Sequence, residues 1–436
     1  MARQRVDLLV GPAAQVATPV GGDGRPPAGP AQGRLSLIPG GAVAVRGGRI
    51  VDVGPYAEVA ARVEPAATLD ARGRTVLPGF VDPHTHLCFA GWRAEEFGRR
   101  LAGATYQEIL AAGGGILDTV RHTRAASEVK LAGLVRERLL EVLRFGTTTV
   151  EVKSGYGLTT ADELKMLRAI RRAADPGDDL DGTWPCEGLV LPEVVPTFLG
   201  AHAVPAEFRG DPDAYVDRVV HEMLPAVARE GLAEYVDVFC EAGVFDLDQT
   251  RRVVRAAQAL GLRARLHADE LAPLGGAGLA AELGAASADH LLRIRDEDIP
   301  RLRAAGTVAT LLPGTALFLG EPFAPARKLI AAGVPVALAS DYNPGTQPSG
   351  NMALVMAIAC LGMGLTPAEA LVASTLGAAH ALERADRIGS IEPGKQADLV
   401  ILGAPSYEHL AYRLGTARVA AVLKAGKIAP AGGWER

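Results

Sequence analysis

GFVDPHTHL, residues 79–87, is the most telling stretch of the chain. An apolar pair, Phe80 and Val81, runs straight into Asp82, His84, Thr85 and His86. A buried strand that ends in chemistry reads this way. The same form recurs downstream, in TTTVEVKSGYG (147–157), LVLPEVVPTFLGAH (189–202), YVDVFCE (235–241) and RARLHADE (263–270). It continues in SADHLL (287–292), TVATLLPG (307–314) and VPVALASDYN (334–343). Between most of these runs lie helix-like segments such as KLAGLVRERLLEVLRFG (130–146) and DLDQTRRVVRAAQALG (246–261). Strand then helix, about eight times over roughly 300 residues, predicts a (β/α)8 barrel of the TIM type. Its polar residues fall at the C-terminal strand ends, where such barrels carry their sites.

Outside the barrel, the two ends of the chain look alike. VDLLVG (6–11), GAVAVRGGRIVDVGP (41–55) and ATLDARGRTVLPGFVD (67–82) read as short strands and hairpins. So do GSIEPGKQADLVILG (389–403) and RVAAVLKAGKIAP (418–430). Residues 19–34, rich in Gly and Pro, read as a loop. Each end alone is too small for a core, so both are expected to build one small β-sandwich domain. The expected division is 1–77 for its N-terminal part, 78–388 for the barrel and 389–436 for its C-terminal part.

Composition narrows the function. The 436 residues are 48% hydrophobic and 22% charged, with a net charge of −5. That is enough apolar material for a large core. The mild acidity argues against nucleic acid or an anionic membrane as partner, since both demand a basic face. Cys88, Cys186, Cys240 and Cys360 form no CxxC pair, which fits a reducing cytoplasm. The N-terminus breaks its apolar run at Asp7 and Pro12, unlike a signal peptide. The longest apolar stretch, 352–365, is short of the ~18 residues of a membrane span and reads as a buried helix.

His84 and His86 stand at i and i+2, so in a strand both imidazoles reach one cation. His267, His290 and Asp341 recur at later strand ends and extend the candidate ligand set toward zinc or iron. A capping or merely structural role for the whole set is the bland alternative. The glycine clusters 111–116 and 274–278 lack the order of phosphate loops and are expected to be loops near the substrate. His122, His221, His380 and His409 have no such placement.

VDPHTHL, LHADE and SDYN, in this order, resemble the amidohydrolase superfamily, and GSIEPGKQADLVIL is similar to its return segment. PHTHLCFAGWRAEEFGRRLAGATYQEILAAGGGI (83–116), TVEVKSGYGL, FLGAH, VFCEAGVF, SADHLL, LPGTALFLG and DYNPGT resemble more narrowly its imidazolonepropionase family. The resemblance covers nearly the whole chain. It implies hydrolytic opening of an imidazolone ring by a metal-activated water, one divalent ion per chain (zinc or iron), and a homodimer. It implies metal ligands His84, His86, His267 and Asp341. Glu270 would be the general acid/base, with Asp341 sharing the task and His290 supporting the oxyanion or the water. Arg93, Tyr106, Tyr156, His202 and Glu270 match substrate-contact positions, and Asn343, Gly345 and Thr346 match positions at the product-like end. Tyr342 departs from the phenylalanine more usual beside the ligand. Relatives with two metals carry a carboxylated lysine on the fourth strand. Here that strand is YVDVFCE, so Lys153, on the second, is expected to be structural or electrostatic. A ring deaminase and a catalytically inactive barrel scaffold are the competing readings.

Overall fold

The computed structural model describes residues 3–21, 24–104, 108, 114–182, 184, 188–416 and 419–429. Eight parallel strands form one sheet: β1 (Phe80–Asp82), β2 (Thr147–Lys153), β3 (Glu193–Ala201), β4 (Tyr235–Cys240), β5 (Arg263–Ala268), β6 (Ser287–His290), β7 (Val308–Leu311) and β8 (Val336–Leu338). Each pairs with its sequence neighbour, as right-handed βα repeats require. Closure falls just beyond the ends of β1 and β8. The Asp341 amide donates to the His84 carbonyl and the His86 amide to the Tyr342 carbonyl, both at 3.0 Å. The barrel seam therefore runs through the candidate ligands themselves.

Helices Glu128–Arg144 and Leu247–Ala259 lie where the sequence places them. Ser127 Oγ accepts the Lys130 amide at the first, and Asp246 with Gln249 forms a reciprocal capping box at the second. The apolar stretch 352–365 gives the largely buried helix Met352–Met363. Among the described residues no helix is long and apolar enough to cross a membrane.

The chain ends build two further sheets. One holds Arg49–Pro55, Gly41–Arg46, Gln4–Val10 and Val63–Leu69. The other runs Lys427–Ala429, Val419–Lys424, Leu399–Leu402, Thr75–Pro78, Gln15–Pro19 and Leu35–Pro39. Leu399–Leu402 lies antiparallel to Thr75–Pro78, so the two ends meet through that pairing. Val10, Val43, Val76, Leu399 and Ile401 share one buried core between the sheets. Two details differ from the sequence reading. Gln15–Pro19 and Leu35–Pro39 are strands that flank the Gly/Pro loop, because they pair with each other over five residues. Tyr56–Arg62 is a short helix that buries its own Val59.

Candidate active site

The polar ends of β1, β5, β6 and β8 converge at one mouth of the barrel. His84, His86, His267, His290 and Asp341 are all buried there. His86 Nε2 lies 3.4 Å from His267 Nε2 and 3.4 Å from Asp341 Oδ1, while His84 Nε2 lies 3.6 Å from Asp341 Oδ1. His84 forms one group of donor atoms within 4.8 Å with His86 and Asp341, and another with His267 and His290. His84 Nε2 is buried and has no hydrogen-bond partner. A bare imidazole nitrogen at a buried site is costly unless a cation or water meets it. The donor set, imidazoles with one carboxylate, suits a divalent zinc or iron ion.

The backbone is bent to hold these groups. Asp341 has φ +58°, His290 +77°, Leu291 +61° and Asp269 +51°. Left-handed conformations at such residues cost of order 1–3 kcal/mol each and persist where the surroundings over-determine them. Thr315 Oγ1 donates to Asp341 Oδ2 at 2.5 Å and fixes that carboxylate.

Glu270 stands on the loop after β5, with Oε1 3.6 Å from His290 Nδ1. Burial, and then the neighbouring Asp341 charge, push its carboxyl up to about 8. Burial lowers His290 to about 3 and holds His84 and His86 well below the ordinary imidazole range. Burial also pulls on His267, but the Asp237 carboxylate outweighs it and the net shift is upward. Neutral imidazoles are the form that binds a metal ion.

Several of the residues expected at the substrate are gathered here. The Tyr156 ring centre lies 5.2 Å from that of His202, and His202 stacks on His86 at 5.0 Å. His202 Nδ1 is 2.9 Å from the Gly155 carbonyl, which leaves Nε2 for the cavity when the proton sits at Nδ1. The loop that carries Tyr156 is clamped by buried Glu163, which accepts the amides of Gly155, Gly157 and Leu158. Arg93 donates from Nε to Glu96 Oε2 at 2.9 Å, with a second contact from Nη2 to Glu96 Oε1. Its guanidinium also packs on Gly345, where any Cβ would collide with it.

The Asn343 side chain is spent on its own turn. It accepts the amides of Gly345 and Thr346 at 2.8 Å and donates to the Asp341 carbonyl at 2.7 Å. Tyr106 lies outside the described residues, as do residues 111–113 of the cluster 111–116. The cluster 274–278 is not the substrate loop expected from its glycines. From Gly276 it is the first turn of helix Gly276–Glu282, and the amides of 275–277 are tied to Asp269. Three closely spaced amides need one carboxylate, and Asp269 supplies it.

Glu151, Asp237, Glu241, Arg265 and Asp289 carry no sequence motif that marks them as part of a site. All are fully buried around the site. Lys153 Nζ lies 2.7 Å from Glu151 Oε1 and 2.8 Å from Asp237 Oδ2. The signal for them was charge inside otherwise apolar strands, since such groups are almost never buried unless paired.

Comparison with known proteins agrees with this geometry. The Amidohydrolase family model matches residues 75–429. That of the Imidazolonepropionase-like composite domain of bacteria matches residues 41–62. An imidazolonepropionase from Symbiobacterium thermophilum is 54% identical over 97% of both chains. Another, from Geobacillus kaustophilus, is 50% identical over 97% of both. Among solved structures, an adenosine deaminase from Xanthomonas campestris with bound zinc superposes with a TM-score of 0.70 at 23% identity, covering 98% of this chain and 93% of its own. Guanine deaminase from E. coli gives 0.71 at 16%, covering 98% and 99%. At such identities these two speak for the fold alone, whereas the relatives near 50% speak for the family. The chain belongs to the amidohydrolase family and, within it, to the imidazolonepropionases.

Proposed function

We propose that this chain hydrolyses the ring amide of 4-imidazolone-5-propanoate to give N-formimidoyl-L-glutamate, a step of histidine degradation. The observation that carries the reading is the convergence of His84, His86, His267 and Asp341 beside the buried carboxyl of Glu270. Relatives of that name, about half identical over nearly the whole chain, support it. In this reading those four residues hold one divalent ion, zinc or iron. When bound, such an ion lowers the pKa of water from about 15.7 toward 7 and polarises a carbonyl.

The chain's own residues do the rest. Glu270 takes a proton from the attacking water and returns it to the ring nitrogen as the C–N bond breaks. The hydroxyl oxygen stays on the ring carbonyl carbon, which becomes the α-carboxylate of the product, while the propionate already present becomes its side-chain carboxylate. His290, with both ring nitrogens unpartnered in the site, hydrogen-bonds the developing oxyanion or the water. Asp341 shares the proton with Glu270. Arg93, Tyr156 and His202 grip the polar substrate, Tyr106 is assigned the same task by its motif, and the turn of Asn343, Gly345 and Thr346 closes the far side. The substrate is a small molecule, not a nucleic acid or a membrane, and the setting proposed is a cytoplasmic homodimer. The division at 77/78 and 388/389 belongs to the same reading, supported by the pairing of Leu399–Leu402 with Thr75–Pro78.

The test combines elemental analysis with an ultraviolet assay of the imidazolone. Expected are about one ion per chain and ring opening. Glu270→Gln should keep the ion and lose ~10²–10⁴ of the rate, typical for a positioned acid/base. Ammonia release from an aminated ring without imidazolone opening would transfer the reading to a deaminase.

A further inference from the structure

Two fully buried carboxylates behind the site have no part in the reading above. Asp289, at the end of β6, places Oδ2 2.7 Å from His84 Nδ1. Asp237, on β4, places Oδ2 3.0 Å from His267 Nδ1. Each is also met, at the same oxygen, by a buried cation. Arg265 Nη2 lies 3.4 Å from Asp289 Oδ2, and Lys153 Nζ 2.8 Å from Asp237 Oδ2. The same arrangement, cation then carboxylate then imidazole, therefore occurs twice, built from β2, β4, β5, β6 and the end of β1.

We infer that Asp289 and Asp237 are positioning residues for the divalent ion of the proposed site. Asp289 acts through a hydrogen bond to His84 Nδ1 and Asp237 through an ion-pair contact with His267 Nδ1, and each thereby favours the tautomer protonated at Nδ1, with the Nε2 lone pair turned toward that ion. A neutral imidazole has a single N–H, and a carboxylate facing Nδ1 draws it there. Nε2 is then left bare. His84 Nε2 shows this condition, buried beside Asp341 Oδ1 without a hydrogen-bond partner.

The two cations also answer a rival use of the same carboxylates. His84, Asp237 and Asp289 bring donor atoms within 4.8 Å of one another, which on its own resembles a second metal site. Arg265 already stands against Asp289, and Lys153, shared with Glu151, against Asp237. A second ion there would meet the field of two fixed positive charges.

The inference rests on the proposed metal site, so the wild-type protein is the first arm of the experiment. Zn²⁺ is titrated into the metal-free protein against a chelator, with thermal unfolding of the metal-free form recorded alongside. If the wild type fails to bind one equivalent, the parent reading falls and not this one. Given binding, Asp289→Asn should weaken Zn²⁺ about 10- to 100-fold, the usual cost of removing such a partner. Arg265→Met keeps the Asp289–His84 contact and removes the opposing charge. It should bind Zn²⁺ as tightly as wild type or more so, even where its melting temperature falls. A merely structural role predicts the reverse, with affinity falling in both variants in step with melting temperature. That result, or Zn²⁺ affinity of the Asp289→Asn variant within about threefold of wild type, overturns the inference. If Arg265→Met does not fold, ¹⁵N-histidine NMR of the zinc-loaded wild type decides. Nδ1-protonated rings at His84 and His267 support the inference, and Nε2-protonated rings overturn it.

Discussion

Replacing Glu241 by glutamine changes one atom type and removes one charge, yet it should loosen the loop on which Glu270 stands. Glu241 is fully buried at the end of β4 and is consumed by backbone donors. Oε2 accepts the amides of Glu270 at 3.0 Å and Leu271 at 2.9 Å. Oε1 accepts those of Ala272 and Ala242, both at 3.0 Å. A glutamine has one acceptor oxygen. Whichever way its amide turns, one pair of N–H groups faces an NH₂ instead of a carboxylate oxygen. Hydrogen bonds to charged groups contribute about 1.5–3 kcal/mol each, so losing two costs about 3–6 kcal/mol. With an unfolding entropy of about 2.1 cal/mol/K per residue, this chain's melting temperature should fall roughly 3–7 °C. Differential scanning calorimetry of matched metal-free samples measures the shift. Because each pair includes an amide of the 270–272 segment that carries Glu270, kcat should drop more than KM rises, while bound metal stays at the wild-type level. A melting temperature within about 1 °C of wild type, with kcat within about twofold, would show that the four amides find other partners and that the clamp has no such role.

Arg93→Lys should lower kcat/KM roughly tenfold or more, since a lysine cannot reproduce a guanidinium fork on a carboxylate. An analogue without the propionate carboxylate should lose little further in that variant, and full discrimination between the two would mean that Arg93 serves only Glu96. Tyr342→Phe removes the hydroxyl that donates to Glu141 Oε2 at 3.0 Å. It should cost about 1.5–3 kcal/mol, read by chemical denaturation, while zinc content remains unchanged. Burial and Asp341 push the Glu270 carboxyl up to about 8, so in the metal-free protein it holds its proton at pH 7. A cation nearby favours the ionised form, so zinc binding at pH 7 should release protons, seen as a heat that varies with buffer ionisation enthalpy. Proton uptake would contradict that assignment.

The barrel was legible in the chain alone, because a buried parallel strand needs a near-continuous apolar run and a βα repeat can close only in a few ways. So were the residues at the strand ends. His84, His86, His267, His290 and Asp341 interrupt apolar runs at equivalent places, and that interruption is visible one residue at a time. Chain contacts between distant segments were a different matter. Gln15–Pro19 and Leu35–Pro39 carry no strong strand pattern, and they are strands because they find each other. The pairing of Arg93 with Glu96 and its packing on Gly345 depend on a loop folding back across the barrel mouth. The buried charges were the least legible. Glu151, Lys153, Asp237, Arg265 and Asp289 are spread over β2, β4, β5 and β6, and each alone looks like an error in an apolar strand. Only the barrel's curvature brings them within hydrogen-bonding range of one another and of His84 and His267. A charge can be buried when its partner is buried beside it, and which partner that is belongs to the tertiary structure.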